Sequence, residues 1–217
     1  MKKYLPIILI IFTAISCHKT PKKQTVKEQK QEYIEWSEIY NKEVKAAQGW
    51  KYIIIHHSAC NYGNAKLFHK WHTDKGFGGL AYHFVIGNGH GSGNGQVEYG
   101  FRWKQNKIGT HVTVDAWYHN VFGIGICLVG NFDYARPTWK QLTALIKLIR
   151  KLAKRYNIPK KNVVGHKDVP HGRLITKGGK IIFKRTTGYE KGHTTCPGKY
   201  FPMAYVKRMA FRKTRLP

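Results

Sequence analysis

Acidic residues are scarce in this chain. Its 217 residues hold 11 Asp and Glu against 38 Lys and Arg, a formal charge of +27. That imbalance says nothing about fold, but it predicts attraction to polyanions. Cysteine is scarce too, and four in this length exclude a miniprotein built on disulfides in place of a core. No apolar run approaches the roughly 18 residues a membrane-spanning helix needs. No internal repeat is present. No helical segment carries Lys and Arg on one side beside base-reading residues, which argues against a nucleic-acid target. The glycines between Asn88 and Gly95 lack the strand–helix context and the lysine of a phosphate loop.

What is present suits one domain with extensions. Hydrophobic residues make up 42% of the chain, enough for a true core. Lys2 and Lys3 precede a largely apolar run from Tyr4 to Ile15, the order of a secretory signal. Residues 1–16 are therefore read as a signal peptide. Ala14-Ile15-Ser16-Cys17 resembles the lipobox of bacterial lipoproteins, in which the Cys is lipidated; Ala14 stands where Leu is usual. An ordinary signal peptide cut nearby is the alternative. Lipidation at Cys17 would make the protein a membrane-anchored resident of the bacterial envelope, in the periplasm or at the outer membrane. Residues 17–32 are Lys/Gln-rich and nearly free of apolar side chains, the composition of a flexible tether. Tyr33, Trp36, Ile39, Tyr40 and Val44 recur at helical spacing, so 33–48 reads as a short amphipathic helix. Five of the eleven acids lie before residue 44, which concentrates positive charge on the remaining body, residues 49–217.

The body alternates strand and helix signals. Lys51–His56, Tyr82–Ile86, Val97–Phe101 and Phe122–Val129 read as strands. Ala65–Thr73, Thr138–Tyr156 and Gly198–Met209 read as helices. In the longest, Leu142, Leu145, Ile146, Ile149, Leu152 and Ala153 share a face behind a Thr138 cap. Asn162–Gly165 is a short strand or loop, and Leu174–Lys184 a hairpin turning at Gly178-Gly179. The pattern is α/β, a central mixed β-sheet flanked by helices.

The chemistry sits in separated histidines and one cysteine. His56 ends the first strand, His166 follows the strand VVG, and Cys196 lies in HTTCPG. Two imidazoles and a thiolate could hold zinc with a fourth position open for hydrolysis. None of these spacings is a finger signature. With 12 histidines in the chain most are ordinary ones, and Cys196 has a disulfide with Cys60 or Cys127 as its alternative.

Five segments in order, IIIHHSA, AYHFVIG, HN with GIGICLVGNF, VVGHKDV and TTCPG, resemble the zinc amidase domain of bacterial and phage N-acetylmuramoyl-L-alanine amidases and of peptidoglycan recognition proteins. The likeness covers about residues 50 to 208. It implies zinc (Zn2+) as cofactor, held by His56, His166 and Cys196, with His57 a structural neighbour. It implies Tyr82 and Thr194 as catalytic residues, and His111 and Asn120 as residues lining the substrate groove. It implies hydrolysis of the amide between N-acetylmuramic acid and L-alanine in peptidoglycan. Some members carry an acid on the strand matching GIGICLVG, where this chain has Cys127 and Val129; that favours a Tyr82/Thr194 mechanism. Two readings compete: a non-catalytic peptidoglycan-binding module, and a basic exported protein adhering to anionic wall polymers. A monomer is expected. Residues 172–190 read as a flap or a plain surface hairpin, and Trp117, Tyr118 and His119 as sugar-stacking or packing aromatics.

Overall fold

The computed structural model describes residues 49–113, 116–170, 172–177, 180–185 and 194–212; for 172–177 and 180–185 the backbone alone is described. Cys17, the tether and the 33–48 helix lie outside the described residues. The strands are β1 (Tyr52–His57), β2 (Phe84–Ile86), β3 (Val97–Tyr99), β4 (Gly123–Leu128), β5 (Val163–Gly165), β6 (Gly172–Lys177) and β7 (Lys180–Arg185). The helices are α1 (Ala65–Asp74), α2 (Phe101–Lys104), α3 (Trp117–Val121), α4 (Trp139–Tyr156) and α5 (Met203–Ala210).

Five strands form one mixed sheet in the order β3-β2-β4-β1-β5. β4 pairs parallel with β1 and β2, β5 pairs parallel with β1, and only β3 runs antiparallel, at the edge. Hairpin β6-β7 is a separate antiparallel pair, with Lys177 opposite Lys180.

Strand parity divides the sheet into two chemically different faces. Ile53, Ile55, Ile124, Ile126, Leu128, Phe84 and Ile86 enter the main core beneath α4 and α5. Each such fully buried side chain contributes about 1.5–3 kcal/mol. The opposite face carries Ile54 and His56 from β1 and Gly123, Gly125 and Cys127 from β4, with His56 opposite Cys127 in register. That face is lined by small residues, which leaves room for imidazole and phenol rings. A Cβ at Gly125 would lie 2.4 Å from the His111 ring, so the glycine is the bed on which His111 rests.

Helix α4 is locked at both ends. Thr138 Oγ1 accepts from Gln141 N, and Gln141 Oε1 accepts from Thr138 N, both at 3.1 Å, a reciprocal capping box. Gln141 Nε2 also donates to Ile86 O and Val129 O, tying the helix to the sheet. Asn157 closes the helix in the left-handed conformation at φ 53°. α5 starts later than the sequence suggests, at Met203, directly after Pro202, which has no N–H to give. β2 starts at Phe84, two residues after the sequence-based boundary, because Tyr82 turns into the site; His83 N still donates to Gly125 O at 2.9 Å. The short helices α2 and α3 carry too few residues to leave a periodic signature.

His83 is the buried hinge of this region. Its Nδ1 accepts from Gly125 N at 2.9 Å and its Nε2–H donates to Lys107 O at 3.0 Å, an arrangement open only to the neutral ring. Burial holds its pKa down to about 4, from an ordinary 6.5. The unfolded chain therefore takes up this proton first, and stability falls as pH drops from about 6.5 to about 4. At about 1.4 kcal/mol per pH unit, His83 alone costs about 3 kcal/mol across that window. His72, half-buried with a similar shift, adds a smaller, solvent-screened share. Urea midpoints measured from pH 7.5 to 4.5 are expected to fall steeply below 6.5, and less steeply in His83→Gln; equal slopes would contradict this assignment.

Candidate active site

The site forms where parallel strands β1 and β5 end, the edge of an open α/β sheet at which ligands collect. Strand parity decides between the adjacent histidines. His56 projects to the small-residue face; His57 projects to the other, where its Nδ1 accepts from Phe132 N at 3.1 Å. His166 opens the single turn after β5, and Cys196 arrives on the loop before α5. One ligand atom from each of His56, His166 and Cys196 lies within 4.8 Å of the others, so the three residues named from the sequence converge. Cys60, Cys127 and Cys196 are free thiols, and neither disulfide left open by the sequence is formed.

The donor set fits zinc. Cys196 Sγ lies 3.7 Å from His56 Nδ1. Tetrahedral zinc with Zn–S of about 2.3 Å and Zn–N of about 2.0–2.1 Å requires an S···N separation of about 3.6 Å. Burial pushes the Cys196 thiol up to about 12, against a His57 N–H that points at Sγ from 3.4 Å. A thiolate here requires a cation beside it.

A chain of hydrogen bonds sets the His56 tautomer. His111 Nε2 faces Gly123 O at 3.2 Å and must carry the proton. Its Nδ1 is then an acceptor, 3.1 Å from His56 Nε2, so His56 donates there and keeps its Nδ1 lone pair toward Cys196. Burial holds both rings well below the ordinary histidine range, with the neighbouring histidines adding to the effect for each. The structure puts Asn120 behind His111. Its Oδ1 accepts from His111 N at 2.8 Å and Val112 N at 3.0 Å, and its Nδ2 donates to Val112 O. Asn120 is 2% exposed and reaches the site through His111.

Tyr82 lies over the cluster, its ring centroid 5.1 Å from His56 and 5.4 Å from His72. Burial, and after it the nearby Cys127 and Cys196 thiols, raise its pKa well above 10, so it is a hydrogen donor and not a phenolate. Thr194 Oγ1 accepts from Cys196 N at 3.1 Å and still has its own hydrogen to give. His119 is buried and packs edge-on to Tyr52, while the Tyr118 ring lies tilted against Phe122 and its hydroxyl accepts from Lys51 Nζ at 3.2 Å.

Three supports carried no sequence signal. Asp133 clasps the Cys196 loop: Oδ2 accepts from Thr195 Oγ1 at 2.6 Å and Oδ1 from Lys199 N at 3.0 Å. These bonds hold its carboxyl below the usual range. Arg102, 4% exposed, donates to Leu80 O, Ile108 O and Phe77 O and fixes the segments leading to Tyr82 and His111. His72 Nδ1 accepts from Ala81 N at 3.0 Å beside Tyr82.

Comparison with known proteins agrees with this geometry. The family model described as N-acetylmuramoyl-L-alanine amidase matches residues 46–199. An endolysin of Enterobacteria phage K11 is 32% identical over 105 residues, 46% of this chain and 61% of that protein. Peptidoglycan-recognition protein SC2 of Drosophila melanogaster is 32% identical over 128 residues, 54% of this chain and 64% of that protein. The chain thus spans a little under two thirds of the length of these curated relatives. The solved N-acetylmuramoyl-L-alanine amidase LysC of Clostridium intestinale URNW superposes with a TM-score of 0.55 at 28% identity, covering 73% of this chain and 83% of that one. With the mixed sheet, the converged His-His-Cys cluster and a family match over most of its length, the chain belongs to the N-acetylmuramoyl-L-alanine amidase family.

Proposed function

We propose that this protein is a zinc-dependent hydrolase of the amide joining N-acetylmuramic acid to L-alanine in peptidoglycan, with His56, His166 and Cys196 as the metal ligands. The convergence of those three side chains at the strand ends carries the reading. When bound, zinc supplies a Lewis acid that activates water and polarises a carbonyl. The chain's own residues do the rest. Hydrolysis puts the water oxygen on the lactyl carbonyl carbon, breaks the C–N bond and returns a proton to the departing L-alanine amine. Negative charge grows on the carbonyl oxygen meanwhile. The Tyr82 and Thr194 hydroxyls are the donors held in place to meet that charge or to orient the water. Both are neutral donors, which suits a site with no carboxylate at Cys127.

The likeness to a peptidoglycan-recognition protein favours a second reading, binding without cleavage. The intact cysteine ligand argues for the hydrolase. Export follows from the signal sequence, and attachment through a lipid at Cys17 from the lipobox likeness; the wall-directed relatives support an envelope location. The deciding experiment digests purified sacculi with the full chain and identifies products by mass. Stem peptides with a free L-alanine amine are expected, lost on chelation and regained with zinc. A zinc-loaded protein that pellets with sacculi and releases nothing would establish the binding module instead.

A further inference from the structure

A second groove lies away from the cluster, between α4 and the edge strand β3. It is an open groove of about 620 Å³, lined in part by Gly95, Val97, Thr143, Ala144 and Leu148. Its rim carries Tyr99 and Trp139, 51% and 67% exposed, two of six large apolar side chains left in solvent among the described residues; the Trp139 ring also lies 6.0 Å from that of Tyr205 on α5. Lys140, Lys147 and Lys151, at i, i+7 and i+11 on α4, fall on one helical face along the same rim. No acid lines it. Glu98, the one acid of β3, alternates to the far side of the strand, where its Oε2 accepts from Ala65 N at 3.2 Å. β3 is the sheet edge farthest from β5, so this groove and the His-His-Cys cluster can engage different stretches of a long polymer.

We infer that the α4–β3 groove binds a second segment of peptidoglycan, with amino sugars against Trp139 and Tyr99 and stem-peptide carboxylates against Lys140, Lys147 and Lys151. The inference rests on the wall substrate proposed above. Aromatic faces offer broad apolar contact to the C–H surface of a sugar ring, while the lysines demand an anion; a neutral glycan would leave the lysines unused, and an apolar partner would leave them unpaired. Carboxylate-bearing amino-sugar polymer satisfies both halves.

The test separates binding from cleavage. The full chain carrying Trp139→Ala, Lys147→Glu and Lys151→Glu is pelleted with sacculi on ice, and its cleavage of a soluble disaccharide peptide is measured separately. Sacculus affinity is expected to fall about tenfold or more, the scale of losing one strong contact, with soluble cleavage unchanged. A control with Lys160→Glu and Lys161→Glu, the same charge change off the groove, is expected to lose less than about threefold at moderate salt. Equal losses in the two variants would mean a general field effect and overturn the groove. Unchanged pelleting of the groove variant would do so too, as would loss of binding to poly(glycerol phosphate) but not to sacculi. Because pelleting does not need turnover, a protein that binds sacculi through the groove but never cleaves them would sink the hydrolase reading alone.

Discussion

Cys196→Ser is expected to lower amide hydrolysis by at least about a thousandfold and to strip the bound metal, with the fold retained. A serine hydroxyl stays protonated at neutral pH and is a poor zinc ligand, whereas thiolate supplies both charge and a soft donor. The substitution is nearly isosteric, and the surrounding bonds do not need sulfur: Thr194 Oγ1 still meets the residue 196 N–H, and Asp133 still holds Thr195 and Lys199. Metal analysis, circular dichroism and release of stem peptides are read on one sample. His166→Ala is expected to behave alike. Full activity in either folded variant would mean that the cluster does not run the reaction, and a metal-free protein that cleaves at the normal rate would be equally decisive against it.

Tyr82→Phe is expected to behave differently. The ring stays, packed beside His56 and His72, and only the hydroxyl goes. Removing one donor to a developing oxyanion costs about 100- to 1000-fold in kcat. KM and zinc content are expected to hold near the parent values, since no ligand atom and no ground-state contact of the metal is touched. The split between a lost kcat and an intact metal is the signature. A matching fall in zinc content would recast Tyr82 as a packing residue. An unchanged kcat would leave Thr194 as the only hydroxyl donor in the reading.

How far the sequence spoke for itself varies from residue to residue. The choice of His56 over His57 came from the family resemblance; strand alternation says only that two adjacent residues face opposite ways, and which face holds the cluster is set by strand pairing. The Thr138 cap and the Leu142–Ala153 stripe were legible, because capping and helical periodicity are local. The late start of α5 and of β2 was not: Pro202 and the turn of Tyr82 into the site act at boundaries, where local preference is weak. Asn120 shows the same limit on the functional side. An asparagine beside a family motif reads as a groove residue, yet its whole amide is committed to backbone groups of His111 and Val112.

By itself the order of residues determined the alternation of strands and helices and the residue types able to hold a metal. Tertiary structure alone decided that His56 and Cys196, 140 positions apart, stand 3.7 Å from each other, and that Asp133 clasps the loop bringing the cysteine there. Periodicity and capping act over a few residues and leave their mark in short windows of sequence. Convergence depends on which strands pair in parallel and where their ends meet, and no short window carries that information.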